Sequence, residues 1–260
     1  MPSSVPPTHT APSLADPAAP ASHATPRLEV DGLTVTFGGL TALADVGFHV
    51  DPGETVALIG PNGAGKTTVF NAVCGLVRPT AGSVRIDGRP APASPTGLLG
   101  RGVARTLQGL GLVDGMTPLE HLLVPLGPPS AANVALALAE LDAHGLRERA
   151  STPVGALPYP DRKRVALARA LVSRPSLLLL DEPAGGLGAE DIDRLAATVR
   201  EVAGSGASVL LVEHHVDFVM GLADRVVVLD FGRVIATGTP AVVQADPRVE
   251  EAYLGVKAAS

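Results

Sequence analysis

The residues best suited to chemistry form one uninterrupted run, Gly60-Pro61-Asn62-Gly63-Ala64-Gly65-Lys66-Thr67-Thr68. It fits the pattern G-x-x-x-x-G-K-S/T. Glycines let backbone N–H groups turn inward and wrap a polyphosphate. Lys66 can reach the β- and γ-phosphates, and the Thr67 hydroxyl can take a place on Mg²⁺. The context agrees with that reading. A strand-like run, Thr55-Val56-Ala57-Leu58-Ile59, comes before, and a helix-like run comes after. Such a helix points its N-terminus, with free N–H groups, at the anion. A Gly-rich turn arising by chance has no reason to sit in that frame.

A second group follows the apolar run Leu177-Leu178-Leu179-Leu180, which ends in Asp181-Glu182-Pro183. A buried strand ending in two carboxylates puts both at the C-terminal edge of a sheet, where α/β proteins bind ligands. Asp181 can hold Mg²⁺, and Glu182 can orient and polarise water for attack on a γ-phosphate. A solvated acidic turn is the plain alternative for this segment taken alone. Val212-Glu213-His214-His215 also follows an apolar strand, so His214 emerges at the same edge. A lone His there is usually structural; beside a phosphate loop it is placed as a γ-phosphate sensor. Gln108 follows Val103-Ala104-Arg105-Thr106-Leu107. Its carbonyl oxygen can touch Mg²⁺ or the attacking water, although by itself it reads as an ordinary polar loop residue.

The elements that must position these groups are legible from periodicity. Leu28-Glu29-Val30 and Leu33 to Phe37 alternate as half-buried strands do. Val46 to Val50 is a further short strand, Asp51 to Glu54 a turn, and Ser83 to Ile86 a strand closed by the turn Asp87-Gly88. Helical stretches near Leu119–Val124 and Ala131–His144 are separated by the break Pro125-Leu126-Gly127-Pro128-Pro129. From Asp161 the chain alternates helices at 161–173 and 189–203 with strands at Leu177–Leu180 and Val209–Val212. Val226–Leu229 and Val234–Ala236 finish the sheet. This alternation predicts an α/β core with a largely parallel sheet, and a helical subdomain at about 109–173.

Composition sets bounds. The chain has 260 residues, is 46% hydrophobic and carries a net charge of −6. That charge argues against a nucleic-acid partner gripped by a broad basic face. Cys74 is the sole cysteine, so neither a disulfide framework nor a cysteine metal cluster is available; it reads as a small buried apolar residue. No run approaches the ~18–20 apolar residues of a membrane span. Residues 1–26 are Pro-, Ala-, Ser- and Thr-rich and read as a disordered tail.

In this order the motifs resemble the nucleotide-binding subunit of ATP-binding cassette (ABC) transporters, over residues ~28–255. The resemblance implies a P-loop NTPase core of ABC type in a domain at 27–256: a mainly parallel sheet, an N-terminal antiparallel β part and the helical subdomain. The loop 60–68, Gln108, Asp181-Glu182 and His214 match the family's Walker A, Q-loop, Walker B with catalytic glutamate, and H-switch. Phe37 matches the aromatic that stacks on adenine. ATP and Mg²⁺ are the implied ligands, and Thr67, Gln108 and Asp181 the implied metal contacts. The branch most similar is the ATPases of branched-chain amino-acid importers. Phe37-Gly38-Gly39-Leu40 with Ala42-Leu43, Ala104 to Gln108, Met116 to Glu120, Gly238-Thr239-Pro240 and Ala252-Tyr253-Leu254-Gly255 carry that similarity. It implies transmembrane permease subunits as partners and a peripheral place on the cytoplasmic face of the membrane.

The chain departs from the family at the signature loop, where a Leu-Ser-Gly-Gly-Gln type sequence from one subunit faces ATP held by the other. Here the position reads Leu157-Pro158-Tyr159-Pro160-Asp161. Pro158 has no hydroxyl, Pro160 has no N–H, and Asp161 is expected to add negative charge near an anion. Prolines at a helix start keep the fold comfortable without restoring the donors. The D-loop, Gly185-Gly186-Leu187-Gly188, has Gly where many relatives carry Asp or Asn, and His215 replaces an acid. The helical region before the signature is short for the branch. The resemblance implies a subunit that hydrolyses ATP to energise import of branched-chain or related amino acids, and the altered loop adds the expectation of an asymmetric heterodimer with a second, intact ATPase subunit. The alternative function is an ATP-binding regulatory subunit with little or no hydrolysis.

Overall fold

Residues 25–107 and 109–254 are described by a computed structural model of the chain. Gln108, and all but the last two residues of the expected tail, lie outside the described residues. β1 (Leu28–Phe37), β2 (Leu40–Val50), β4 (Ala81–Ile86) and β5 (Arg89–Pro90) form an antiparallel sheet in the order β2-β1-β4-β5. The two N-terminal runs expected from sequence are a single strand. It is interrupted at Gly32, whose φ of 58° admits the register shift between Val30 and Leu33. β2 also begins earlier than its apolar alternation suggested, because the tight turn Gly38-Gly39 folds Leu40 back onto Phe37.

The second sheet has the order β10-β9-β3-β8-β7-β6. Its strands are β3 (Thr55–Ile59), β6 (Val103–Arg105), β7 (Leu177–Asp181), β8 (Ser208–Val212), β9 (Arg225–Asp230) and β10 (Arg233–Gly238). All pairings are parallel except β9 with β10. Strands covered on both faces need apolar residues at every position, and the two faces divide them by parity. Leu58, Leu177, Leu179, Leu210 and Val212 pack toward the antiparallel sheet and α1 (Lys66–Val73), with Cys74 buried among them as expected. Ile59, Leu178, Leu180, Val209 and Leu211 pack toward α4 (Tyr159–Leu171), α5 (Ala189–Gly204) and α6 (Val216–Met220).

α2 (Pro118–Leu126), α3 (Ala131–Ala143) and α4 enclose a third, separate apolar cluster around Leu122, Leu141 and Val165. Thr117 and Glu120 close a reciprocal capping box at the start of α2. The break expected at Pro125 comes later: Pro125 is inside α2, and the chain turns at Gly127 with φ 84°. α4 belongs to two clusters. Leu167, Ala170 and Leu171 face the parallel sheet, while Val165, Ala168 and Val172, the residue after the helix, face α2 and α3. It starts two residues before the expected Asp161, with Pro158 at the cap position and Pro160 in the first turn. The chain closes with α7 (Pro240–Gln244) and α8 (Pro247–Leu254). Among the described residues no helix is long and apolar enough to cross a membrane.

Candidate active site

β3 is buried throughout and ends at Gly60, where the chain leaves the sheet into the loop. A Cβ on Gly60 would stand 2.1 Å from the Leu229 carbonyl oxygen, at a φ of 151°. Gly65 closes the loop at φ 107°, and a Cβ there would meet Leu43 Cδ2 at 2.6 Å and the Ala42 oxygen at 3.1 Å. These two glycines are fixed by strand β9 and by the β1–β2 hairpin, which shapes the loop into a backbone cradle. The buried Lys66 ammonium donates to the carbonyls of Gly60 at 2.6 Å and Pro61 at 2.9 Å. Burial pulls its pKa down, and the charge of Glu182 opposes that shift. Thr67 is exposed in the first turn of α1. Phe37 is 50% exposed beside the tip of the hairpin whose Ala42 abuts Gly65.

β7 delivers Asp181 and Glu182 to the same edge. The Asp181 N–H donates to Thr106 Oγ1 at 3.3 Å. Burial, with the nearby charges of Glu182 and then Glu213, pushes the Asp181 carboxyl up to about 6, and Arg105 pulls the other way. Glu182 lies in left-handed backbone at φ 46°, with its N–H on the Val212 carbonyl at 2.9 Å. His214, past the end of β8, places Nδ1 3.8 Å from Glu182 Oε1.

The residues present fit a magnesium polyphosphate. The loop offers an ammonium, a glycine-rich backbone and a helix start for the anion. Asp181 sits in an excess of negative charge that a divalent cation would relieve. Lys66, Thr67, Asp181, Glu182 and His214 are thus brought together by β3, β7 and β8, which are adjacent strands.

The signature segment differs from expectation at one residue. Asp161 is 6% exposed, and its carboxylate is held by Arg164 and, at 3.2 Å, by Arg149. It is an internal ion-pair partner on α4, so its charge is matched within the chain and is not presented to an anion. Pro158 and Pro160 occupy the cap and first-turn positions, where no intrahelical N–H bond is required. The first helical bond runs from Arg162 N–H to the Pro158 carbonyl at 3.0 Å.

Two residues escaped the sequence reading. Glu213 is fully buried. Its Oε1 accepts from the Ala184 N–H at 2.8 Å, and its Oε2 accepts from the N–H groups of His214 at 2.8 Å and His215 at 3.1 Å. The ligand atoms of Glu213, His214 and His215 lie within 4.8 Å of one another, but the carboxylate already answers three backbone donors. Lys163 on α4 donates to the carbonyls of Glu182 at 3.1 Å and Pro183 at 2.8 Å. An acid directly after the apolar run Val209–Val212 was the available signal for Glu213. Lys163, in a run of basic residues, gave none.

A glycine-rich loop between a buried parallel strand and a helix, with a carboxylate pair at the end of the next strand but one, defines a P-loop nucleotide-binding protein. The comparisons narrow the class. Residues 43–185 match the family model described as ABC transporter, and residues 233–259 match that of the branched-chain amino acid ATP-binding cassette transporter. The chain is 39% identical to the high-affinity branched-chain amino acid transport ATP-binding protein BraF of Pseudomonas aeruginosa, covering 88% of this chain and 98% of that one. LivG of Escherichia coli K12, with the same description, gives the same figures. A crystal structure of an ABC transporter cassette in its ADP conformation superposes with a TM-score of 0.80 at 28% identity, covering 89% of this chain and 99% of that one. This chain belongs to the ABC transporter family, as a nucleotide-binding ATPase subunit.

Proposed function

We propose that this chain binds MgATP and hydrolyses it to energise import of branched-chain or related amino acids. The observation that carries the reading is the convergence of Lys66, Asp181, Glu182 and His214 at one sheet edge, with Glu182 and His214 3.8 Å apart. The relatives' names supply the cargo class. In this reading Phe37 stacks on adenine, and Gly60, Pro61, Asn62, Gly63, Ala64, Gly65 and Thr68 frame the phosphates with their backbone. Lys66 leaves its own loop carbonyls for the phosphate oxygens. Thr67, Asp181 and Gln108 would hold Mg²⁺, which supplies charge neutralisation at the β- and γ-phosphates. Glu182 takes up the proton of the attacking water, and His214 senses the γ-phosphate.

The working unit is a dimer at the cytoplasmic face of the membrane, docked on permease subunits through the region around Gln108 and the helical part at 109–173. A solved cassette bound to ADP and phosphate, 25% identical to this chain, is dimeric. The partner in this reading is a sister ATPase with an intact signature loop, because Pro158 and Pro160 present neither the hydroxyl nor the N–H that the opposite nucleotide needs. The comparisons give no support to a regulatory subunit without turnover.

The experiment is steady-state ATPase activity of the purified chain, alone and mixed with the sister ATPase, with Glu182→Gln as control. Low activity alone and Glu182-dependent turnover in the mixture is the expected result. Equal loss when the sister's own catalytic glutamate is changed would remove the asymmetry.

A further inference from the structure

The turn that carries Glu182 is held by side chains outside the nucleotide motifs. Glu182 is a non-glycine residue at φ 46°, a conformation that persists only when its surroundings over-determine it. Lys163 reaches across from α4 and grips the carbonyls of Glu182 and Pro183. Its ammonium lies 5.6 Å from the centre of the Tyr159 ring, within cation–π range. Tyr159 in turn closes on the D-loop: a Cβ on Gly186 would stand 2.9 Å from Tyr159 Cε1. Glu213 takes the Ala184 N–H on one oxygen and the N–H groups of His214 and His215 on the other.

We propose that Lys163 and Glu213 are positioning residues that set Glu182 and His214 as one unit, and that Lys163 ties that unit to the signature helix of its own chain. This rests on the reading of Glu182 as the group that activates water. Glu213 joins the two loops directly: a single buried carboxylate spans the N–H groups of Ala184 and His214. Lys163 adds the third element. α4 packs on both the parallel sheet and the helical cluster, so a shift of α4 is felt directly at the two carbonyls after β7. The negative charges of Glu213 and Glu182 also support the Lys163 ammonium against the effect of burial.

This arrangement gives the altered signature segment a role. Pro158 and Pro160 remove what α4 would offer to nucleotide on another subunit. The inward hold on the Glu182 turn, one helical turn further along, is intact. The helix acts within its own chain, and motion imposed on it by a permease or a sister subunit moves Glu182.

The test uses the full-length chain mixed with the sister ATPase, and compares Lys163→Met, Lys163→Arg and Glu213→Gln. Misplacing a reacting group by about an ångström lowers turnover up to roughly a hundredfold. Lys163→Met is expected to reduce kcat by roughly ten- to a hundredfold, with KM and fluorescent-ATP affinity unchanged and with Lys163→Arg restoring most of the rate. Hydrogen exchange, read on the chain without turnover, is expected to quicken at the amides of residues 184–186 in Lys163→Met. In Glu213→Gln it should quicken at 184 and at 214–215 together. Unchanged kcat and exchange in Lys163→Met overturn the proposal, as does a parallel loss of ATP affinity and thermal stability that Arg does not rescue. A mixture without Glu182-dependent turnover would defeat the proposed function instead, and exchange would still decide the clamp.

Discussion

His214 Nδ1 stands 3.8 Å from Glu182 Oε1, and the two residues come from the ends of neighbouring strands β7 and β8. At that separation a small adjustment brings imidazole and carboxylate into contact, and a water or γ-phosphate oxygen can be shared between them. Both are partly exposed, the imidazole at 49% and the carboxylate at 29%, so the site is accessible to nucleotide from this edge.

Glu182→Gln keeps the shape and removes the base that the proposed function assigns to this residue. General-base contributions run to about 10²–10⁴-fold, so hydrolysis in the mixed dimer is expected to fall by at least about a hundredfold while ATP binding holds. His214→Ala is expected to lower turnover similarly, and the double variant to be little worse than either single one, because residues acting as a unit are not additive. Steady-state turnover together with equilibrium binding of a fluorescent ATP analogue checks both. A double variant showing the product of the two losses would mean that they act separately.

Asp181 gives a pH dependence. Its carboxyl is raised to about 6 by burial and by Glu182, above the ordinary carboxylate range. Between roughly pH 4 and 6 the folded chain therefore binds the proton more tightly than the unfolded chain does. Asp181 thus weakens the metal-free fold above about pH 6, and that penalty disappears as pH falls through the folded pKa. Without Mg²⁺, Asp181→Asn is expected to raise Tm at pH 8 and to change it little at pH 4. Apparent Mg²⁺ affinity is expected to fall below pH 6, approaching roughly tenfold per unit as one proton competes with the metal. Thermal melts across pH, with and without Mg²⁺, measure both trends; a Tm difference independent of pH would contradict this account.

Much of this was legible in the sequence because its local signals agree with one another. The runs 56–59, 177–180 and 209–212 are buried and apolar throughout, and their parity splits between two faces as a doubly covered parallel sheet requires. Asp181, Glu182 and His214 could be placed because each follows such a strand. The misreadings arose where tertiary contacts decide. Asp161 looked like a charge facing an anion, and only the packing of Arg149 and Arg164 beside α4 reveals its partners. Pro125 looked like a stop, yet near the end of α2 it interrupts only the last turn. The roles of Lys163 and Glu213 depend on contacts with residues 19 and 29 positions away, which no local pattern encodes.

Restoring the signature donors tests the asymmetry. Two charge-assisted hydrogen bonds are worth roughly 1.5–3 kcal/mol each. Pro158→Ser with Pro160→Gly is therefore expected to favour ATP-driven self-association of the Glu182→Gln chain by about a hundredfold or more. The same change leaves the rate at the other, Glu182-bearing site of the mixed dimer nearly constant. Sedimentation with and without ATP reports the first effect, and turnover of the mixture the second. Self-association equal to that of the unrestored chain would place the block outside the two prolines.

Asp161 supplies the stability prediction. Its carboxylate is almost fully buried, and its partners, Arg149 on the preceding segment and Arg164 one turn along α4, tie the helix start to the chain that leads into it. Asp161→Ala leaves two guanidinium groups without that acceptor, one of them half exposed and able to turn to water. Removing one partner of a well-buried pair costs about 3–5 kcal/mol, and solvent access at Arg149 reduces this to roughly 1–3 kcal/mol. Asp161→Asn retains one acceptor oxygen and is expected to lose about half as much. If Asp161 instead acted by repelling nucleotide, its removal would tighten ATP-dependent dimerisation without lowering stability. Urea melts of the three chains, run beside dimerisation assays in the Glu182→Gln background, separate the two roles, and a destabilisation confined to the melt is the outcome that the ion pairs require.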